Sequence, residues 1–194
     1  SRLLDIKRWT NGGFTMEEIE EAVQSCDIVH TYLWYARLYH LADVCEKYGK
    51  ELSLDASFGE TLDESARAAI LGKCHWGKMN EVEACQVTGL ASAEEALICL
   101  HKDVQCGIVV TLGAKGSIGM LHGDDRIIRI APQNLGEFRD ACGAGDAYSA
   151  GMLYGLARGY DLEKAMAIGS HTSGLAVTWP GGTDAAMRQL RDKF

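Results

Sequence analysis

Asp140-Ala141-Cys142-Gly143-Ala144-Gly145-Asp146-Ala147-Tyr148 packs two carboxylates, a thiol and a run of very small residues into nine positions. Small residues just before a helix leave successive backbone N–H groups unpaired and reachable, and the helix dipole adds about half a positive charge there. Such a turn can hold an oxyanion or phosphate by main chain alone, which is why its side chains must be small. Asp146 falls in the first helical turn, at the same opening. A carboxylate beside an anion site is unfavourable unless it acts on the chemistry, for example by accepting a proton from an attacking hydroxyl. An acid in a first turn also stabilises its helix, so spacing alone leaves both roles open. Two other runs carry polar groups at useful spacing. Asn80-Glu81-Val82-Glu83 puts Asn80 and Glu83 on one helix face, and also fits a surface cap. Thr111-Leu112-Gly113-Ala114-Lys115-Gly116 reads as a strand end followed by a glycine turn.

These groups need a scaffold, and the hydrophobic periodicity supplies one. MEEIEEAVQ, over 16–24, reads as a helix with Thr15 as N-cap and Glu18 completing a capping box. Strands are expected over 27–32, 51–55 and 75–79. Helices are expected over 33–48, closed by Gly49, and over 61–71, 80–85 and 91–101, the last capped by Ser92. Strand and helix alternating at this spacing imply βαβ crossovers and a parallel sheet. CGIVVTL, 106–112, is apolar enough for the buried middle of such a sheet. SIGMLH and RIIRIA read as a hairpin turned at Gly123-Asp124-Asp125. A buried helix begins in the glycine-rich run, and another extends from Leu162 to about Val177 before Pro180-Gly181-Gly182. Neither a repeat nor a linker interrupts 1–194, which reads as one α/β domain. Asp55, at a strand's carboxyl end, suits either a ligand contact or a loop cap.

DACGAGDAYSAG resembles the C-terminal signature of the ribokinase-like (PfkB-type) carbohydrate kinases, D-T-x-G-A-G-D-x-F/Y-x-x-G, with Ala141 where Thr is usual. Asn80 and Glu83 match that family's N-x-x-E, and Thr111, Gly113 and Gly116 match its T-x-G-x-x-G. Gly169-Ser170-His171 through Gly181 is similar to the helix and loop flanking adenine. The segments follow family order over roughly Asp27 to the end. The resemblance implies a three-layer sandwich with a mostly parallel central sheet flanked by helices, and ATP-dependent phosphorylation of a sugar or similar alcohol. Asp146 would be the base, and Gly143, Ala144 and Gly145 the donors to the transferring phosphoryl group. Asn80, Thr111, Gly113, Gly116, Ser170 and His171 would hold ATP. Glu83 would act through water on Mg²⁺, and Asp140 would serve a monovalent cation such as K⁺. The family also carries an N-terminal portion with most sugar contacts and a lid that commonly mediates dimerisation. Neither is found here, and Gly12-Gly13 is no substitute. With Ser1 in place of an initiator Met, the chain is expected to be a piece of a longer kinase, a homodimer when full-length, or else a nucleotide-binding remnant without sugar kinase activity. Fructose, ribose, ketodeoxygluconate, fructosamine and nucleoside acceptors all stay open.

Composition narrows the field. With 19 basic and 27 acidic residues the net charge is −8, which argues against a nucleic-acid partner. Apolar stretches fall well short of the roughly 20 residues that span a bilayer. Seven cysteines form no C-x-x-C pair, and histidines 30, 40, 75, 101 and 122, five of the six, have no metal-ligand spacing, so a reduced, cytoplasmic setting is expected. Cys142 is expected as a buried, inert thiol, with alkylation as the alternative. Tyr32, Trp34, Tyr35 and Tyr39 are expected in the core or an interface. An S-adenosylmethionine methyltransferase would also use an acidic, glycine-rich loop. That loop should follow an apolar strand near the start of the domain, whereas here Pro132 to Glu137 are polar and the motif lies in the last third.

Overall fold

The computed structural model describes residues 15–32, 38–56 and 63–181. In chain order the elements are α1 (Met16–Gln24), β1 (Ile28–Tyr32), α2 (Leu38–Lys47), β2 (Glu51–Asp55), α3 (Glu64–Leu71), β3 (Trp76–Asn80), α4 (Glu81–Thr88) and α5 (Ala93–Leu100). They are followed by β4 (Gly107–Thr111), a 3₁₀ turn (Gly113–Lys115), β5 (Ser117–Leu121), β6 (Ile128–Ile130), α6 (Ala144–Ala157) and α7 (Leu162–Ala176). The six strands pair in sequence order, β1 to β4 parallel and β4 to β6 antiparallel. The α/β reading and the hairpin therefore hold.

Two expected helix boundaries shift. The fourth helix, expected over 80–85, starts after its Asn80 cap and runs to Thr88, where Gly89 ends it in the left-handed region. The third helix starts at Glu64 rather than Thr61, because the Asp63 side chain accepts from the Ala66 N–H and its extended backbone ends the preceding loop. Residues 33–37 of the helix expected over 33–48, Trp34 and Tyr35 among them, lie outside the described residues, as do Gly12, Gly13, Thr61 and Gly182.

Strand periodicity sorts the sheet into two unlike faces. Leu52 and Leu54 on β2, Met79 on β3, and Ile108 and Val110 on β4 join one core with α1 to α5. Val109 and Ile128 point the other way, into a smaller core with Tyr148 and Met152 of α6 and Leu162, Ala165 and Met166 of α7. The result is helices, sheet, helices. Register then brings Tyr32 and Asp55, at the carboxyl ends of β1 and β2, abreast of Lys78 midway along β3, on the α6 face.

α6 and α7 pack too closely for side chains at several crossings. A Cβ on Gly151 would sit 2.3 Å from Thr172 Oγ1 and 2.9 Å from the Ile168 carbonyl oxygen. Thr172 also donates to the Ala147 carbonyl at 2.7 Å, tying α7 to the first turns of α6. The seam thus fixes where the amino end of α6 points. Gly151→Val is expected to lose about 1–3 kcal/mol of stability in urea unfolding, as overpacking does. An unchanged midpoint would show that the helices move apart freely.

Candidate active site

A cavity of about 710 Å³ opens over the carboxyl ends of the strands, beneath the first turn of α6. This is where an open α/β sheet binds ligands. Its floor is an ion pair. Lys78 Nζ lies 2.7 Å from Asp55 Oδ2, with the two side chains only 6% and 7% exposed. Ser149 Oγ of α6 donates to the same carboxylate oxygen at 3.4 Å. Desolvating two charges costs several kcal/mol each, and a pair offsets this only when the geometry is good. The ammonium also reaches the helix end, since a Cβ on Gly145 would stand 3.2 Å from Lys78 Nζ. A side chain on residue 145 would therefore lie between the lysine and any anion at the helix N-terminus.

The turn into α6 is built by Gly143, whose φ of 76° is left-handed and suits glycine. The Ala144 N–H donates to the Ala141 carbonyl at 3.1 Å, so one of the three expected donors is already engaged. In the first turn, the N–H groups of Gly145 and Asp146 have no helical carbonyl behind them, and both residues line the cavity. Asp140 pins this turn from below. Its carboxylate accepts from the Cys142 N–H at 2.9 Å and the Gly181 N–H at 3.0 Å. Those N–H groups, Cys142 first, hold the Asp140 carboxyl below the usual range. The staple is thus intact above the ordinary aspartate range and is lost only as pH falls through the depressed value.

Asn80 and Glu83 form a reciprocal capping box on α4. Asn80 Oδ1 accepts from the Glu83 N–H at 2.9 Å, and Glu83 Oε2 accepts from the Asn80 N–H at 2.8 Å. Both also line the cavity, so the capping role and the site role coexist. Thr111, Gly113 and Gly116 line it too. Gly116 has a second reason to be glycine, since a Cβ there would meet the Ile130 carbonyl oxygen at 2.1 Å. Ser170 is buried and lines the wall, its hydroxyl donating to the Ala131 carbonyl at 3.0 Å.

Other residues fall elsewhere than expected. His171 is exposed outside the wall, its Nδ1 2.9 Å from Oε1 of Gln133, and it is Gln133 that reaches the cavity. One helix residue on from Ser170, its side chain turns by about 100°. Cys142 is exposed rather than buried, because the turn that carries it stands proud of the sheet. Of the core-or-interface alternatives for the tyrosines, the core one falls for Tyr32 and Tyr39, 37% and 53% exposed, and the Tyr32 hydroxyl donates to Asp146 Oδ1 at 2.9 Å. The edge position of β1 leaves its α6 face open at that end. Lys78 was not among the sequence candidates. Its only signal was a cation alternating with apolar neighbours in a short strand.

A family profile for the pfkB family carbohydrate kinases matches residues 15–189. The chain belongs to that family. Among curated pfkB-related proteins, it is 40% identical over 74 residues to a nucleoside kinase of Methanocaldococcus jannaschii, covering 38% of this chain and 24% of that protein. It is 28% identical over 159 residues to ATP-dependent 6-phosphofructokinase isozyme 2 of Mycobacterium tuberculosis, covering 79% of this chain and 44% of that one. Its fold matches Arabidopsis thaliana ribokinase, solved with ribose and ATP, at a TM-score of 0.77 and 21% identity, over 87% of this chain and 55% of the ribokinase. The pfkB chain thus spans about half, or less, of these relatives' length. The fold is ribokinase-like. No helix among the described residues is long and apolar enough to cross a membrane.

The Asp55–Lys78 pair gives a direct test of the site's floor. Asp55→Asn and Lys78→Met are each expected to cost about 3 kcal/mol or more by leaving the other charge buried without its partner. The double variant Asp55→Asn with Lys78→Met should cost clearly less than the two single losses added together. Strict additivity in chemical denaturation would show that the pair is not coupled.

Proposed function

We propose that this chain carries the nucleotide-binding and catalytic part of an ATP-dependent kinase acting on a hydroxyl of a sugar or sugar-like alcohol. One observation carries the reading: Asp146, the helix N-terminus of α6 and the Lys78 ammonium bear on a single cavity at the carboxyl ends of the strands. A proton acceptor beside an anion cradle is what phosphoryl transfer to an alcohol needs, since that reaction is mostly positioning and charge stabilisation.

In this reading Asp146 takes the proton from the acceptor hydroxyl. A carboxylate is a weak base, but a loose phosphoryl transition state asks for little early deprotonation. The N–H groups of Gly145 and Asp146, residues that line the cavity, receive the transferring group, and Gly143 and Ala144 shape the turn. Lys78 neutralises charge developing on the equatorial oxygens, at a helix end that already favours anions. The Asp55 carboxylate keeps the ammonium aimed there. Thr111, Gly113, Gly116 and Ser170 wall the nucleotide, with His171 acting on it only through Gln133.

The donor set also fits a divalent cation brought in by the nucleotide. Among the described residues no three His, Cys, Asp or Glu side chains gather to hold a metal unaided. Mg²⁺ is commonly held by substrate phosphates with one or two carboxylates, and Glu83, which lines the cavity, would supply one through water. Bound there, the ion would neutralise phosphate charge. A monovalent cation fits less well. It would have to share Asp140 oxygens that already accept backbone hydrogen bonds, so we assign Asp140 to holding the loop.

MgATP or MgADP is expected to raise the thermal midpoint while S-adenosylmethionine leaves it unchanged, as a ligand of the folded state must. In a coupled assay over a sugar and nucleoside panel, turnover should fall at least about a hundredfold in Asp146→Asn. Nucleotide protection with no turnover on any acceptor would instead support a nucleotide-binding role without kinase activity. Full activity in Asp146→Asn would remove Asp146 as the base.

A further inference from the structure

We propose that Tyr32 is a positioning residue for Asp146, its hydroxyl holding one carboxylate oxygen so that the other is presented to the acceptor hydroxyl. This rests on the reading of Asp146 as the proton acceptor. The contact spans 114 positions of sequence and joins the carboxyl end of edge strand β1 to the first turn of α6.

The need for such a group follows from where Asp146 sits. It is exposed, on the first turn of a helix, with the terminal torsion of its side chain broad and roughly two-fold. A general base must keep one oxygen within hydrogen-bond reach of the proton it takes, about 2.6–3.2 Å from the donor oxygen. Left to itself, the carboxylate would spend much of its time turned elsewhere. Tyr32 supplies the missing restraint. Its ring is rigid, it stands on a strand, and the His30 ring two residues earlier on the same strand face lies 6.0 Å away, tilted by 58°. Its 2.9 Å bond to Oδ1 leaves Oδ2 for the acceptor.

The phenol suits the task because it stays a donor. Burial first, then the Asp146 carboxylate, push Tyr32 up to about 12, with Asp55 adding to the shift. At working pH it cannot become a second anion that competes for the proton. His30, the other titratable ring facing it, is driven toward its neutral form by burial. Tyr32 also stands beside the Asp55–Lys78 pair in the strand register, so the same row across the strands fixes both the phosphoryl side and the acceptor side.

The test uses Tyr32→Phe, with Tyr154→Phe, an exposed tyrosine near the other end of α6, as the control. In Tyr32→Phe, kcat should fall about tenfold, the size of one lost hydrogen bond to a charged group, while KM for MgATP stays within about twofold. A separate arm reads the contact without turnover, following the Tyr32 phenol by NMR of [13Cζ]tyrosine-labelled protein. Its titration midpoint should drop in Asp146→Asn, where the neighbouring anion is gone. An unchanged or raised kcat in Tyr32→Phe, or a midpoint indifferent to Asp146→Asn, would overturn the proposal. If Asp146→Asn abolishes turnover while Tyr32→Phe behaves as wild type, only the role of Tyr32 falls. If Asp146→Asn retains full turnover, or the wild type has none, the base reading fails and the role of Tyr32 fails with it.

Discussion

A lysine ammonium enclosed between a carboxylate and a helix N-terminus is the constraint on which the rest of this site depends. Lys78 cannot be left buried without Asp55, and Asp55 cannot be left there without Lys78. Their mutual dependence fixes β2 against β3 at the strand ends and sets a positive charge directly under the opening of α6. A helix N-terminus alone offers a fractional charge that solvent screens. With a buried ammonium beneath it, the same turn carries a second source of positive potential that solvent screens less.

The geometry above that floor comes from packing that contains no chemistry. The glycine seam between α6 and α7 sets the depth and direction of the helix, and Asp140 staples the incoming loop to the turn at Gly181. The alternation of β2, β3 and β4 does the corresponding work in the sheet. One parity goes wholly to the large core, which frees the other to carry Asp55, Lys78 and Asn80 toward its carboxyl end. The larger core thus occupies one face of the sheet, while the other carries the smaller core and the cavity-lining polar groups. The division explains how charged groups can be so deeply placed without disturbing the main core.

Legibility in the sequence followed the range of the interaction involved. The turn at 140–146 was readable because small residues, a helix start and an acid are local features. The capping box of Asn80 and Glu83, the Thr15 cap and the hairpin were readable for the same reason. Lys78 and Tyr32 were not. Each belongs to the site only through strand register and through α6, which is far away in sequence, and neither has a local signature apart from strand alternation. Asp55 was half readable, as a carboxylate at a strand end whose partner could not be named. His171 and Cys142 were misplaced because one residue of helical rotation, or the height of a turn above the sheet, decides exposure.

The measurement closest to the central claim is the calorimetric affinity of MgATP for the wild-type chain and for Lys78→Gln, with circular dichroism confirming that the variant is folded. If the buried ammonium and the helix end form one anion site, the dissociation constant should rise at least about tenfold, the scale of one charged contact to phosphate. Equal affinity in a folded Lys78→Gln variant would contradict this, and would mean that the nucleotide is held elsewhere in the cavity and that the Asp55–Lys78 pair serves stability alone.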